Sequence, residues 1–356
     1  MISNKTIRTL TSSPPSFPTL PFDLIPKILS RLPVKLLLQF QCVCKSWNSL
    51  ISDPKFAKKH LSLSNTTYSL HCLRSSYSFD SVLTNVTAIN VARPQFPSND
   101  RVYFVGSYNG ILCVVDRCID LFLVHLWNPS IGKVKELPPL VEPQNCCHRR
   151  SIYGFGYDPV SDNYKVVVVL PVFDFINGRI YYKNNVKIHT LGTDSWKNIS
   201  VFPFAGIPIQ QSGQYVSGTI NWLACIGRNC RCFIASLDLG DESYQECSLP
   251  DCGKIDALSV YRDCLCLICG EDVWTMKEYG NKESWIKLFT ISNMRNSLAS
   301  SHPYIKAKYV FEDDQVLFKC WSHTYISYDF RNGTSKLIEF EDNLEVCVES
   351  LISPCF

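Results

Sequence analysis

"LPFDLIPKILSRLPVKLLLQFQCVCKSWNSLISDPKFAKKHL", residues Leu20 to Leu61, carries more apolar side chains than so short a helical segment can hide within itself. Asp23 is placed to cap a helix that tolerates Pro26 in its first turn, and Leu24, Ile25, Ile28, Leu29 and Leu32 fall on one stripe of it. Pro33 suits the first position of a second helix bearing Val34, Leu36, Leu37, Leu38 and Phe40, which is apolar on more than one side. A third stripe, Val43, Cys44, Trp47, Leu50 and Ile51, is ended by Asp53-Pro54. Domains shorter than about 40 residues rarely stand alone. Some of these faces must therefore dock on the rest of the chain or on another protein.

Charge favours an acidic partner. Residues 20–61 hold seven basic side chains (Lys27, Arg31, Lys35, Lys45, Lys55, Lys58, Lys59) against Asp23 and Asp53, a net +5. Lys5 and Arg8 add +2, and since the whole chain is +3, residues 62–356 carry −4. A local basic excess steers association with an acidic surface. The lysines are interleaved with leucines rather than with stacking aromatics, so nucleic acid is not the expected partner.

The order of residues in this stretch resembles the F-box, the helical module that binds the Skp adaptor of cullin-RING ubiquitin ligases. The matching features are Leu20-Pro21, Ile28-Leu29, the Leu32-Pro33 step, Val43-Cys44-Lys45 with Trp47, and Leu50-Ile51. Pro26 departs from the polar residue usual at its position. The resemblance implies an adaptor-facing set of Leu20, Pro21, Leu24, Ile28, Leu32, Pro33 and Val34. Val43 and Trp47 fit either that interface or the module's own core.

From about residue 66 the texture changes to short β-type runs punctuated by Gly, Asn, Asp and Pro. Five hairpin-like units, 125–138, 186–200, 233–250, 273–291 and 325–340, each carry a polar turn with Gly132, Gly192, Gly240, Gly280 or Gly333. An apolar segment precedes each: 106–116, 154–171, 215–224, 256–270 and 305–320. Pairing segment with hairpin gives units of about four strands at an irregular spacing near that of propeller blades. The Thr66–Pro94 region and the C-terminal "EVCVESLISPCF" are left to form a sixth blade that closes the ring. The predicted fold is thus a small all-α front end of three short helices followed by an all-β, six-bladed propeller. A large β-sandwich is the alternative.

"GSYNGILC", "LWNPSIGK", "GFGYDPVSDNYKVV", "LGTDSWKNI", "SGTINWLA" and "SLDLGDE" resemble the F-box-associated interaction domain of plant F-box proteins. The expected organisation is a flexible leader, 1–19, an F-box, 20–61, and a substrate-binding propeller, 62–356. The resemblance implies a non-catalytic receptor subunit of an SCF-type ubiquitin ligase. Its expected partners are the Skp adaptor, through it a cullin and a RING subunit, and a target protein held by the propeller. A hydrolase-like propeller enzyme with an internally packed front end is the competing reading. Candidate target loops are Glu142–Arg150, Phe173–Asn185 and Cys225–Cys232, the second bearing Phe173, Phe175, Tyr181 and Tyr182.

Other chemistry finds little support. No apolar run approaches the roughly 18 residues that span a bilayer, so no membrane is expected. The leader has no apolar signal core, which makes the 18 cysteines expected thiols of a cytoplasmic or nuclear protein. Cys264, Cys266 and Cys269 alternate with apolar residues as a core strand would, and Cys146-Cys147-His148 cannot converge easily, so no metal or cofactor is expected. The acids fall in outer turns, such as Asp241-Glu242, Asp313-Asp314 and Glu341-Asp342, and no catalytic motif appears.

Overall fold

The structure is a computed structural model that describes residues 23–63, 68–72, 76–78, 88–89, 102–117, 122–140, 151–176, 179–199, 202, 207–226, 231–291, 306–310, 315–321, 324–329, 331–340 and 344–355. The chain divides into two compact units, 1–65 and 66–356.

The first unit holds four helices where the sequence predicts three: α1 (Ile25–Leu29), α2 (Val34–Phe40), α3 (Lys45–Ile51) and α4 (Pro54–Leu63). Asp53-Pro54 ends α3 and also starts α4. The Asp53 carboxylate accepts from the backbone N–H groups of Lys55 and Phe56 at 2.8 and 3.0 Å, and Pro54 needs no donor in a first turn. Asp23 does not cap α1. That helix begins from Leu24 with no side-chain cap, and Pro26 occupies its first turn. Leu29, Val34, Leu37, Ile51, Phe56, Ala57 and His60 are buried. The His60 Nε2–H donates to the Leu32 carbonyl at 2.8 Å, which ties the Leu32-Pro33 step to α4 across the unit.

The second unit is all β. Its strands are β1 (Tyr68–Cys72), β2 (Ser76–Ser78), β3 (Ala88–Ile89), β4 (Val102–Tyr108), β5 (Ile111–Arg117), β6 (Phe122–Asn128), β7 (Lys133–Glu136), β8 (Ile152–Asp158), β9 (Asn163–Ile176), β10 (Arg179–Thr190), β11 (Lys197–Ile199), β12 (Ile207–Pro208), β13 (Gln214–Val216), β14 (Thr219–Ile226), β15 (Arg231–Asp238) and β16 (Tyr244–Cys247). They continue with β17 (Ala257–Tyr261), β18 (Cys264–Cys269), β19 (Asp272–Met276), β20 (Trp285–Thr290), β21 (Lys306–Val310), β22 (Gln315–Trp321), β23 (Thr324–Asp329), β24 (Thr334–Glu339) and β25 (Leu344–Val348). Neighbouring strands in each sheet are antiparallel, and β4–β7, β8–β11, β12–β16, β17–β20 and β21–β24 each form a sheet of consecutive strands. All five predicted hairpins are present as the two outer strands of these sheets.

The expectation of six blades is met in part. Five blades come from continuous segments, and the remaining sheet is assembled from both chain ends in the order β25-β1-β2-β3. The inner strands β4, β8, β13, β17, β21 and β25 lie side by side in turn, and β25 lies beside β4. This radial arrangement is a propeller and not the sandwich alternative. Alternation along each strand feeds two cores at once. On β14, Trp222 packs with Val167, Val169 and Ile188 of one neighbouring blade, while Leu223 packs with Leu258, Leu265 and Leu267 of the other. Covering both faces explains the unbroken buried run Val166–Leu170.

Closure depends on a polar latch. The Asn128 amide donates to the carbonyls of Ser350 and Ile352 at 3.0 and 2.7 Å and reaches Ser350 Oγ at 3.1 Å. Ser350 Oγ donates to the Asn109 carbonyl at 2.7 Å, and Ser107 Oγ donates to Val346 at 2.6 Å. Gly110 is needed beside this latch, because it sits at φ +82° and an added Cβ would lie 2.1 Å from Ser350 Oγ. Asn128→Ala leaves buried carbonyls unpaired and is expected to cost about 2–3 kcal/mol. A thermal melt should show a fall of several degrees, and an unchanged Tm would refute the latch.

His71 on β1 adds a pH dependence to the same seam. It is buried, pairs with Ser69 Oγ at 2.7 Å and sits edge-on to Trp127 with ring centroids 5.7 Å apart. Burial lowers its pKa from 6.5 to about 4. Between those values the unfolded chain binds more protons than the folded one, so stability present above pH 6.5 is lost as pH falls toward 4. His125 and His189 are shifted the same way by burial. The expected loss from His71 between pH 7 and pH 5 is about 2 kcal/mol. Thermal melts at the two pH values, with His71→Gln expected to show the smaller difference, check this.

Candidate docking surfaces

The sequence-chosen residues of the helical unit separate by exposure. Leu24, the N-cap of α1, and Ile28 are one turn apart and both exposed, Ile28 at 47%, while the next residue, Leu29, is buried. Val43, in the turn before α3, is 60% exposed. Pro33 is exposed and Leu32 half-buried. Val34 is only 4% exposed, so it supports the surface from beneath rather than forming it. Trp47 is half-buried, its ring edge-on to Phe40 at 5.5 Å, and so serves the unit's packing while keeping a solvent face. Leu20 and Pro21 lie outside the described residues.

Sequence reasoning passed over Leu36, Leu63 and His60. Leu36 and Leu63 are exposed. The signal for Leu36 was available in the spacing: once Val34 and Leu37 share the inner face, Leu36 must point away. Lys27, Arg31, Lys35, Lys45, Lys55, Lys58 and Lys59 are exposed on the same unit, and the Asp53 carboxylate caps α4. Several large apolar side chains in solvent on so small a unit make it a candidate docking surface.

The propeller presents two distinct faces. Because each blade runs up and down in order, its first-to-second and third-to-fourth turns emerge on one face. Second-to-third turns and blade-to-blade links emerge on the other. Of the three candidate target loops, the ends of β9 and β10 and of β14 and β15 lead to that other face. The β9–β10 ladder is unbroken from Thr190↔Lys165 to Arg179↔Ile176, much longer than the hairpins of the other blades. Residues 141–150 and 227–230 lie outside the described residues, as do the side chains of Phe173, Phe175, Tyr181 and Tyr182.

On the opposite face, tyrosines from three blades meet. Tyr108 stacks on Tyr157 at 5.8 Å and meets Tyr215 edge-on at 4.6 Å, while Tyr157 meets Tyr164 at 5.2 Å. The Tyr215 hydroxyl donates to the Tyr157 carbonyl at 2.7 Å, and that of Tyr157 donates to Asp162. Burial, with Asp162 adding to it, pushes the Tyr157 phenol up to about 12, and burial also raises Tyr164 and Tyr215. These hydroxyls therefore act as neutral donors that fasten turns together. Lys165 does similar work: it pairs with Asp158 at 3.0 Å, both nearly buried, and donates to the Leu239 carbonyl of the next blade. Glu242 of the Asp241-Glu242 turn is held by Lys197 at 2.6 Å. The other two acidic pairs lie outside the described residues, as does Cys146-Cys147-His148.

Among the described residues, no group of three or more His, Cys, Asp or Glu could hold a metal ion, and no helix is long and apolar enough to cross a membrane. Cys266 is buried in the core strand, and burial pushes its thiol up to about 12. One cysteine pair departs from the all-thiol expectation: Cys252 and Cys269 form a disulfide. Both pack into the core between the third and fourth consecutive-strand blades, and their Cα atoms stand 6.1 Å apart, within the range that a disulfide bridges.

Comparisons with known proteins agree with this architecture. Residues 17–59 match the F-box domain, and residues 59–352 match the F-box associated beta propeller domain. The F-box/kelch-repeat protein At3g23880 of Arabidopsis thaliana is 32% identical over 302 residues, covering 77% of this chain and 80% of that protein. F-box protein CPR1 of the same plant is 27% identical over 375 residues, covering 95% of this chain and 89% of its own. F-box protein At3g07870 of that plant is 28% identical, covering 90% of this chain and 88% of its own. Helices with apolar residues left in solvent, followed by a propeller closed by its two ends, place this chain in the family of F-box proteins with an F-box-associated β-propeller domain.

Proposed function

We propose that this chain is the substrate-recognition subunit of an SCF-type ubiquitin ligase. Residues 20–61, extended through α4, dock on the Skp adaptor, which brings the cullin and RING subunit. Residues 62–356 hold the target, with the sheet of the two chain ends serving as a sixth blade. The observation that carries this reading is the exposure of Leu24, Ile28 and Val43 on a small, basic helical unit. Such a surface gains about 25 cal/mol for each Å² of apolar area that a partner removes from water. The basic excess suits an acidic partner and speeds encounter. The chain is a non-catalytic receptor working in the cytoplasm or nucleus. It raises the local concentration of target lysines beside the recruited conjugating enzyme.

A reconstituted reaction tests the whole assignment. A protein captured by the propeller should acquire ubiquitin in the presence of adaptor, cullin, RING subunit and conjugating enzyme. The intact chain should support transfer, and a chain lacking residues 1–62 should not. Transfer that proceeds equally with both would rule out the receptor role.

A further inference from the structure

We infer that Cys225 and Cys232 form a reversible oxidation site, a dithiol that closes into a disulfide across the β14–β15 hairpin. The two residues are direct partners in the ladder, and the register runs without a bulge from Thr219↔Asp238 to Ile226↔Arg231. The Leu239 N–H donates to the Gly218 carbonyl at 3.0 Å, which makes the pair just beyond Thr219↔Asp238 a hydrogen-bonded one. Pairs alternate along an antiparallel ladder, so Ile220↔Leu237, Trp222↔Ala235, Ala224↔Phe233 and Ile226↔Arg231 are hydrogen-bonded. Cys225↔Cys232 is therefore a non-hydrogen-bonded pair, the type whose Cα atoms approach to about 4.5 Å and whose side chains are closest. Disulfides bridge Cα separations of about 4.4–6.8 Å, so the bond needs no backbone movement.

Packing puts both thiols on one side of the hairpin. Leu223 and Ile234, opposite each other and one step inward, both belong to the core shared with the next blade. Period-two alternation then places Cys225 and Cys232 on that same side, and Cys232 packs against that core. Neither is in a disulfide, and both are half-buried, one step from the last pair of the ladder, so part of each residue remains accessible to a small oxidant. The separation lies at the short end of the bridging range, which makes the bond easier to reduce than a relaxed structural disulfide.

The oxidant is a small disulfide, with oxidised glutathione as the probe. One cysteine thiolate attacks the glutathione disulfide, releasing a first glutathione thiolate and leaving a mixed disulfide. The second cysteine attacks the protein sulfur of that mixed disulfide and releases the second glutathione thiolate. Overall, two protein thiols lose two protons and two electrons, and one glutathione disulfide becomes two glutathione thiols. The product pins the hairpin on the face that the β9–β10 and β14–β15 connections share, and its formation does not depend on the ligase reading.

The full chain would be equilibrated at graded ratios of reduced to oxidised glutathione, quenched with an alkylating agent and mapped by peptide mass spectrometry. The expected product is a Cys225–Cys232 cross-link that is lost as the reduced fraction rises and is kept in Cys230→Ser. In Cys225→Ser, Cys232 should carry only glutathione. Alkylation of both cysteines at every ratio would overturn the inference. A bond from either cysteine to Cys230 in the unsubstituted chain would do the same.

Discussion

Ile28→Asp is expected to weaken binding of the Skp adaptor by about 100-fold or more while leaving the thermal melt of the chain unchanged. Ile28 is 47% exposed, so a carboxylate there meets water in the isolated protein and costs the fold little. In the complex the same position loses about 1.5–3 kcal/mol of apolar burial. It also strands a polar group without a partner, at a further cost of about 1–3 kcal/mol. Together these come to about 2.5–6 kcal/mol, a range that begins near the roughly 2.8 kcal/mol that corresponds to 100-fold. Leu29→Asp is the contrasting variant: Leu29 is buried, and its loss should unfold the helical unit itself. Leu32 is a less clean probe, because it is half-buried and its carbonyl holds His60. A titration calorimeter or a biosensor reads the difference. Equal affinity for Ile28→Asp and the unsubstituted chain would remove α1 from the interface.

Truncation after Asp342 is expected to destroy the cooperative fold of the propeller. The deletion removes β25, the partner of both β1 and the β4 side of the ring, together with the Ser350 latch. It also removes the buried Leu344, Val346, Cys347, Leu351 and Ile352. At about 1.5–3 kcal/mol for each large apolar side chain, the loss is comparable with the whole stability of a typical domain, about 5–15 kcal/mol. The truncated chain should lose its unfolding transition and become sensitive to protease throughout residues 66–342. A transition within a few degrees of the full chain would show that the ring does not need its C-terminal strand.

The parts of this architecture that were legible in the sequence are those set by local chemistry. A glycine in a polar turn between two short β runs marked the outer hairpin of every continuous blade, and Gly132, Gly192, Gly280 and Gly333 indeed adopt positive φ. Closure by the two ends was also readable, because unpaired segments at both ends of a repeating sheet leave an edge that needs covering. Asp53-Pro54 was read for only one of its two roles, because the same dipeptide that stops one helix is a good start for the next. The Cys252–Cys269 disulfide could not be read, since it depends on a 17-residue separation being folded to 6.1 Å.

The candidate docking surface was only half legible for a related reason. Periodicity finds the apolar residues of a short helix but does not say which of two apolar faces is turned inward. Val34 and Leu36 look alike in the sequence, and packing alone buries the first and leaves the second in solvent. The candidate target loops could be chosen only by composition, and topology adds that the β9–β10 and β14–β15 connections share one face of the propeller.

The central claim is that the exposed apolar surface of the first unit exists to bind the Skp adaptor, and one binding measurement addresses it most directly. Purified adaptor would be titrated against the intact chain and against a chain lacking residues 1–62, with the folding of each checked by its thermal melt. The account predicts saturable binding by the intact chain only, with the propeller transition preserved in both. A folded intact chain that fails to bind, or a shortened chain that binds as well, would contradict it.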